Sequence, residues 1–271
     1  MSELSEIHKN RVVYSLPGME SAADVLTVAY KMVGDVEWLL DVYTPCAPLD
    51  APPPVVMFVH GDGPESDLLH AREWGQYVSY GQLMAASGLA AVTFCHRSTH
   101  ALTRMDDIAE DIDDAIAFVR ASAGEWGIDG DRLCIWAVSA GVPYGLNAAL
   151  RELPAYVRCM VAYYGYLDLT HLQDELPHVS PDALERHSPL TYLRVHGERL
   201  PPLLIARAGQ DQAEINVSID TFVTEALRVG VSFDLFNHAD GGHGFDIFED
   251  TPRTYAVVRE TIAFVKGWLT A

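Results

Sequence analysis

The segment 133–145 is the feature that most constrains how this chain can fold. It reads Leu-Cys-Ile-Trp-Ala-Val-Ser-Ala-Gly-Val-Pro-Tyr-Gly, in which an apolar run is followed by Ser139 and then by small residues. A short apolar run bounded by a turn is typical of a strand buried on both faces, and we expect one over 133–138. Ala140 and Gly141 leave room for a sharp turn from this strand into a helix, with a serine on the strained corner. The segment therefore predicts a strand–turn–helix unit that presents the Ser139 hydroxyl at the edge of a sheet.

Further apolar runs alternate with stretches of helical periodicity along the rest of the chain. Buried strands are predicted over 55–59, 89–95, 157–163, 202–206 and 231–236, after an antiparallel hairpin over 25–43 that turns at Gly34-Asp35. Helices are predicted over 76–87, from Met105 to a stop at Gly124, from near Glu214, and from Pro252 with Thr251 as its N-cap. Such alternation implies right-handed crossovers, so the fold class is α/β, with a mostly parallel sheet covered by helices on both faces.

Residue spacing also predicts which helix faces are buried. In the helix after Glu214 the apolar stripe is Ile219, Phe222, Val223, Ala226 and Leu227, and in the terminal helix it is Tyr255, Val258, Ile262, Val265 and Leu269. No repeat, low-complexity tract or linker divides the 271 residues. We therefore expect one domain over 1–271, with room for a small cap at 164–202.

The charge of the chain limits its partners. It carries 18 basic and 38 acidic residues, which gives a net charge of −20. Such a surface repels nucleic acid and anionic membranes, and we expect neither as a partner. The sequence has no basic-then-apolar signal pattern and no apolar run long enough to span a membrane, which predicts a cytoplasmic protein. The four cysteines lack metal-binding or redox spacing. The sequence does not fix the oligomeric state and leaves a homo-oligomer open.

Polar segments that could take part in catalysis or binding follow several of the predicted strands. They are His60–Gly63, Ser139, Asp211 and His243. In an open parallel sheet, the carboxyl ends of the strands meet at one edge, and ligands bind there. We therefore expect these segments to lie close together in the folded protein.

The order of these segments resembles the α/β-hydrolase superfamily. A strand followed by His-Gly-x-Gly at 60–63, then x-x-Ser-x-Gly, then an aspartate and a Gly-His after later strands match its motifs and its chain order Ser, Asp, His. Ala137 stands where the Gly-x-Ser-x-Gly nucleophile elbow usually has its first glycine. The resemblance covers the chain from about residue 25 to the C-terminus. Within the superfamily the chain looks most like small serine esterases related to hormone-sensitive lipase and like dienelactone hydrolase-like acyl hydrolases.

The resemblance implies a Ser-His-Asp catalytic triad. Ser139 would be the nucleophile, and because a serine hydroxyl is weak at neutral pH it needs a base hydrogen-bonded to it. His243, in the glycine turn Asp-Gly-Gly-His-Gly-Phe, would be this base. Asp211 would orient the imidazole ring and stabilise the imidazolium without taking its proton.

Other residues compete for two of these roles. His238 lies closer to the end of the last predicted strand, although the glycines on both sides of His243 favour the latter as the base. For the acid, the alternatives are Glu214 and Asp168, of which Asp168 follows the preceding strand. Asp211 could instead be an ordinary helix N-cap. We expect His243 and Asp211 to carry the two roles.

The oxyanion hole should come from the backbone amides of Ala140, Asp62 and Gly63. Asp62 replaces the middle glycine of the His-Gly-Gly-Gly form of this loop. A carboxylate beside a developing negative charge would oppose catalysis. Its side chain must therefore turn away or form an ion pair, for which Arg72 and Arg97 are the candidates.

Aromatic residues near the predicted site either line its pocket or pack in the core or cap. They are Trp74, Tyr144, Tyr163, Tyr164 and Tyr166. His60 is expected to hydrogen-bond to backbone and shape its loop. His96, which follows a strand, is a candidate for the border of the pocket.

We therefore expect a serine carboxylesterase that acts through an acyl-enzyme and needs no metal or cofactor. A small serine peptidase or another acyl hydrolase is the alternative among enzymes, and a catalytically inactive ligand-binding protein is the alternative outside them. The segment 164–202 is short, which favours small or medium acyl chains. The expected partner is a small-molecule ester.

Overall fold

The computed structural model describes residues 5–271 of the protein. Its centre is an eight-stranded sheet. The strands are β1 (Ala23–Val33), β2 (Val36–Pro45), β3 (Pro54–Val59), β4 (Ala90–Phe94), β5 (Asp129–Val138), β6 (Val157–Tyr163), β7 (Leu203–Ala208) and β8 (Phe233–His238). They lie side by side in the order β1-β2-β4-β3-β5-β6-β7-β8. β2 pairs antiparallel with both β1 and β4, whereas the other neighbouring pairs are parallel. The predicted α/β class with a mostly parallel sheet is confirmed.

The predicted hairpin forms the antiparallel edge of this sheet. Val33 pairs with Val36, so the turn between β1 and β2 consists of Gly34 and Asp35, as the sequence indicated. Gly34 has a φ of +60°, in the left-handed region that two-residue hairpin turns require and that glycine adopts without strain.

The central strands are buried because they are mostly apolar. All residues of β3 and β4 are buried, and so is the part of β5 from Leu133 to Val138. These segments are mostly apolar and do not alternate with polar residues, because helices cover both faces of a central parallel strand. Their carboxyl ends therefore carry the 60–63 loop and Ser139 to the same edge of the sheet.

Helices cover both faces of the sheet. They are α1 (Glu65–Leu68), α2 (Gly75–Ala86), α3 (Met105–Trp126), α4 (Val142–Leu150), α5 (Pro181–Arg186), α6 (Pro189–His196), α7 (Ala213–Arg228), α8 (Phe245–Phe248) and α9 (Pro252–Leu269). On one face, α3, α4 and α7 contribute buried residues such as Ile112 and Phe222. On the other face, α2 and α9 contribute residues such as Tyr80 and Val258. Among the described residues, no helix combines the length and the apolar character that crossing a bilayer requires.

The predicted end of α3 is wrong. The helix continues past Gly124 to Trp126, and the next residue, Gly127, has a φ of +67°. A glycine inside a helix costs only about 1 kcal/mol, so it need not end one. A left-handed residue just after the last turn is the usual helix stop, and here Gly127 supplies it.

Two predicted core residues lie at the surface. Leu227 is 67% exposed and Tyr255 is 37% exposed. In α7 the buried stripe ends at Ala226, so Leu227 falls just outside it. The Tyr255 hydroxyl donates to Asp250 Oδ1 at 2.6 Å, in an exposed pair. The predicted N-cap of α9 is confirmed, since Thr251 accepts a hydrogen bond from the Thr254 amide at 3.2 Å.

The segment 164–202, predicted to hold a small cap, runs between β6 and β7. It contains a 3₁₀ turn at Thr170–Leu172 and the short helices α5 and α6. α6 packs against α4 and α7, which lie on one face of the sheet. The segment is therefore anchored beside the sheet through α6.

Candidate active site

The segments at the carboxyl ends of β3, β5, β6 and β8 line a cleft of about 210 Å³. Ser139 and His243 lie in its wall, together with Gly61 and Asp62 from the loop after β3. The structure therefore brings the segments that follow these strands together, as the sequence predicted from their positions.

Ser139 occupies a strained corner between β5 and α4. Its φ is +53°, in the left-handed region that side chains other than glycine rarely adopt. The backbone packs tightly around this corner. A Cβ on Gly141 would overlap the His60 carbonyl oxygen, and a Cβ on Gly165 would overlap the Ser139 carbonyl oxygen. Because Gly141 and Gly165 have no side chain, the backbone can pack closely around Ser139 and hold it in this conformation.

Ala137, which replaces the first glycine of the usual elbow pattern, packs against a glycine in α4. A Cβ on Gly145 would lie 2.8 Å from the Ala137 Cβ and 3.1 Å from the Val59 Cγ2. The first contact is closer than real Cβ atoms show and the second is tight, so a side chain at position 145 would force its neighbours to shift. The methyl group of Ala137 therefore fills space that the missing side chain of Gly145 leaves free.

Ser139, His243 and Asp211 form a continuous hydrogen-bonded chain. The Ser139 Oγ lies 2.8 Å from the His243 Nε2, and the His243 Nδ1 lies 2.8 Å from the Asp211 Oδ2. The Asp211 side chain is 1% exposed, and its Oδ1 accepts the Gln212 amide at 2.8 Å. The ring of Tyr164 packs edge-on against the imidazole of His243, with ring centroids 4.9 Å apart.

The residues that competed for these roles lie elsewhere. His238 is buried at the end of β8, with its Nε2 3.2 Å from the Thr254 Oγ1. The Asp168 Oδ1 accepts the amide of Thr170 at 2.9 Å and its hydroxyl at 2.6 Å. Glu214 is exposed in the first turn of α7. In the described residues, the hydrogen bonds of these groups thus lead away from Ser139.

The loop that carries His243 is fixed from beneath by a buried carboxylate that sequence reasoning missed. Asp246 accepts hydrogen bonds from the hydroxyls of Tyr164 (2.6 Å) and Tyr80 (2.8 Å) and from the side-chain Nε2 of Gln76 (2.9 Å). Burial raises the pKa of Asp246, and these hydrogen bonds oppose the rise. Its place three residues after His243 was the only signal in the sequence.

A stacked pair of buried histidines shapes the loop after β3. The His60 Nδ1 donates to the Gly61 carbonyl at 2.6 Å, and the His60 Nε2 accepts the His96 amide at 3.1 Å. The two rings stack with centroids 3.5 Å apart. Burial, with the neighbouring His96, lowers the pKa of His60 well below its usual value, and burial lowers the pKa of His96 as well. His60 therefore bonds to backbone, as predicted, and His96 lies behind it.

The Asp62 carboxylate is turned back onto its own loop and the next one. It accepts the Ser98 hydroxyl at 2.8 Å, the Thr99 amide at 3.2 Å and the Thr99 hydroxyl. It also accepts the Gly63 amide at 2.9 Å. The carboxylate is thus held by hydrogen-bond donors of Ser98 and Thr99, on the neighbouring loop.

Of the two alternatives predicted for Asp62, the structure shows a side chain that turns away, because both arginine candidates for an ion pair are engaged elsewhere. Arg72 pairs with Asp41 at 2.8 Å, and Arg97 pairs with Asp111 at 2.7 Å. Burial alone would raise the pKa of Asp111, but the hydrogen bonds from Arg97 and a neighbouring lysine hold it below its usual value. Each arginine therefore serves a buried carboxylate of its own.

The Gly63 amide cannot serve as predicted, because it donates to the Asp62 carboxylate. The amides of Asp62 and Ala140 are left as the candidates for the oxyanion hole. The loop passes directly beside the serine: a Cβ on Gly61 would lie 3.1 Å from the Ser139 Cβ and 3.9 Å from the Ala140 nitrogen.

Some aromatic candidates reach the cleft and others do not. Trp74 and Tyr164 line it, whereas Tyr144 and Tyr163 are fully buried. Among the described residues, the cleft takes only Tyr164 from the segment 164–202. It also takes Ile7, His8 and Asn10 from the polar N-terminal arm, residues 5–13, for which the sequence predicted no role in the site.

Comparisons with known proteins agree with this architecture. The family model BD-FAE matches residues 40–219. No curated protein sequence matches the chain. A structure described as a truncated carbohydrate esterase from gut microbiota has a TM-score of 0.75 at 18% identity and covers 94% of this chain and 99% of its own.

Two further solved structures share the fold over most of their length. A bacterial heroin esterase has a TM-score of 0.72 at 17% identity and covers 93% of this chain and 86% of its own. The Est2 esterase of Thermogutta terrifontis has a TM-score of 0.72 at 18% identity and covers 98% of both chains. With the sheet order, these similarities confirm the predicted α/β-hydrolase fold.

The contact between Ala137 and Gly145 gives a prediction about stability. Gly145→Ala should destabilise the protein by about 1–3 kcal/mol, because its methyl group overlaps that of Ala137. Adding Ala137→Gly should recover part of this loss, since it removes the closest overlap but leaves the contact with Val59. Urea unfolding measures both, and Gly124→Ala is the control, since a Cβ there meets open space and should not destabilise. A Gly145→Ala variant as stable as the wild type would contradict the packing described here.

The hydrogen bonds of Asp62 give a prediction about turnover. Replacing Ser98 by alanine and Thr99 by valine frees the carboxylate to approach the oxyanion hole. We expect kcat for p-nitrophenyl acetate to fall about tenfold or more, since a charge there opposes the transition state. Adding Asp62→Gly removes the carboxylate but keeps the amide, and should restore most of the turnover. Unchanged turnover in the double variant, or no recovery in a folded triple variant, would contradict the role of these hydrogen bonds in keeping the Asp62 carboxylate away from the oxyanion hole.

Proposed function

This chain belongs to the BD-FAE family, and we propose that it is a carboxylic ester hydrolase that works through an acyl-enzyme on Ser139. The observation that carries the proposal is the hydrogen-bonded chain from the Ser139 Oγ through His243 to Asp211, with both contacts at 2.8 Å. A hydroxyl next to a base, with the base oriented by a buried carboxylate, is the arrangement that activates a serine.

In the first half of the proposed reaction, Ser139 attacks the carbonyl carbon of the ester. The His243 Nε2 takes the hydroxyl proton as the Oγ–C bond forms, and the carbonyl oxygen becomes an oxyanion. The amides of Ala140 and Asp62 donate to this oxyanion. The intermediate then collapses, the bond to the alcohol oxygen breaks, and His243 gives its proton to the departing alcohol.

In the second half, water releases the acyl group. His243 takes a proton from the water, whose oxygen attacks the acyl carbon, and the same amides hold the second oxyanion. Collapse breaks the bond to the Ser139 Oγ, which regains the proton from His243. Each step uses only side chains and amides of this chain and a water molecule.

Asp211 supports the base without taking its proton. By accepting the hydrogen on the His243 Nδ1, its carboxylate favours the neutral tautomer in which the Nε2 that faces the serine can accept a proton. The same carboxylate stabilises the imidazolium that forms during attack. The buried position of Asp211 strengthens this interaction relative to one in water.

The cleft suggests the class of ester. Its volume of about 210 Å³ is smaller than the roughly 300–1,000 Å³ of typical ligand pockets, which favours small to medium esters. A chain with a net charge of −20 disfavours anionic substrates. We propose an uncharged ester, hydrolysed by one domain that spans the chain and includes 164–202 as a small insertion.

The nucleophile assignment predicts the effect of removing one oxygen atom. Ser139→Ala should lower kcat for p-nitrophenyl butyrate by about 10³-fold or more, because no acyl-enzyme can form. Ser21→Ala, which changes an exposed serine outside the cleft, is the matched control and should turn over at the wild-type rate. Substantial hydrolysis by a folded Ser139→Ala variant would show that another residue is the nucleophile.

A further inference from the structure

We infer that the N-terminal arm, residues 5–13, forms one wall of the cleft and that His8 limits the size of ester that the site accepts. This inference rests on the proposed function, and it assigns a specificity-determining role to a segment that the sequence analysis left without one. Ile7, His8 and Asn10 line the same cleft as Ser139 and His243. The arm thus contributes to the cavity in which the ester would bind.

His8 is the part of the arm with a defined partner in the cleft. Its imidazole stacks on the indole of Trp74, with ring centroids 4.0 Å apart and planes inclined by 6°. Trp74 in turn lies 5.9 Å from His60, the histidine that shapes the loop beside Ser139. A continuous row of rings therefore connects the arm to the predicted oxyanion loop.

Burial lowers the pKa of His8, and the nearby Asp67 opposes this effect. The imidazole is therefore neutral near pH 7 and presents a flat, uncharged surface. Such a surface is suited to the uncharged part of an ester.

The arm is held close to α2 by its backbone. A Cβ on Gly75 would lie 2.5 Å from the Lys9 carbonyl oxygen and 2.7 Å from that of Asn10, so the chain passes here at a distance that only glycine permits. The Val12 amide donates to the Ser79 Oγ at 2.9 Å. These contacts hold the arm against α2 from Lys9 to Val12, directly after His8.

A second contact ties the arm to the loop of the proposed base. The Val13 amide donates to the carbonyl oxygen of Asp246 at 2.8 Å. Asp246 lies three residues after His243 and is held by Tyr164 and Gln76, which also line the cleft. The backbone of the arm is therefore tied to the same loop as the proposed base.

The arm, and not the predicted cap segment 164–202, supplies most of this part of the cleft wall. Within the described residues, the segment 164–202 gives the cleft only Tyr164, whereas the arm gives it Ile7, His8 and Asn10. With these residues in place the cavity holds about 210 Å³. Shortening the side chain at position 8 would open this wall toward solvent and lengthen the space available to an acyl chain.

The test compares the chain-length profile of variants at position 8. The ratio of kcat/KM for p-nitrophenyl octanoate to that for p-nitrophenyl acetate is measured in the wild type, His8→Ala, His8→Trp and Lys9→Ala. We expect His8→Ala to raise the ratio about tenfold, in line with the 10- to 200-fold effects of fitting hydrocarbon into a pocket. His8→Trp, which enlarges the wall, should lower it. Lys9→Ala, an exposed neighbour on the same arm, should leave it unchanged.

The outcomes separate this inference from the proposed function. A wild-type protein that hydrolyses esters through Ser139, with the same chain-length ratio in every folded position 8 variant, would overturn the role of His8 alone. If His8→Ala fails to fold, His8→Trp carries the test in the opposite direction. A wild-type protein that turns over neither ester would overturn the proposed function, and the inference with it.

Discussion

The left-handed backbone of Ser139 is the constraint on which the rest of the site depends. Strain at one residue persists only if its surroundings leave no alternative, and here neighbouring carbonyl groups pack where Gly141 and Gly165 have no side chain. The same turn brings the Oγ to 2.8 Å from His243 and starts a helix whose first amide, on Ala140, is the candidate oxyanion donor. A change that relaxed this corner would therefore disturb the proposed nucleophile and the proposed oxyanion hole together.

The acidic residue in the oxyanion loop shows how such a loop can carry a charge. An unpaired carboxylate next to a developing oxyanion would raise the energy of the transition state. In this protein the charge of Asp62 is directed to the hydroxyls of Ser98 and Thr99 and to nearby amides. These donors also fix the loop, so the substitution of the usual glycine is compensated by contacts that glycine could not make. The proposed hole keeps the Asp62 amide and loses that of Gly63.

The sequence predicted those features that depend on local pattern and on the order of the strands. Polar residues placed directly after buried strands had to meet at one edge of the sheet, so the meeting of Ser139, Asp211 and His243 could be predicted. Partners set by contacts between distant elements could not: Asp62 with Thr99, Gly145 with Ala137, and the arm with α2 each join residues whose pairing leaves no periodic signal. Boundaries failed for a related reason, because a single residue such as Leu227 can fall on either side of a helix stripe.

The central claim is that Ser139 forms a covalent acyl-enzyme, and trapping that residue tests it most directly. The wild-type protein and Ser139→Ala are incubated with a fluorophosphonate, and the intact mass and the peptide map are measured. We predict one adduct per chain on the wild-type protein, located on the peptide that contains Ser139, and none on the variant. A wild-type protein without an adduct, or with the adduct on another residue, would contradict it.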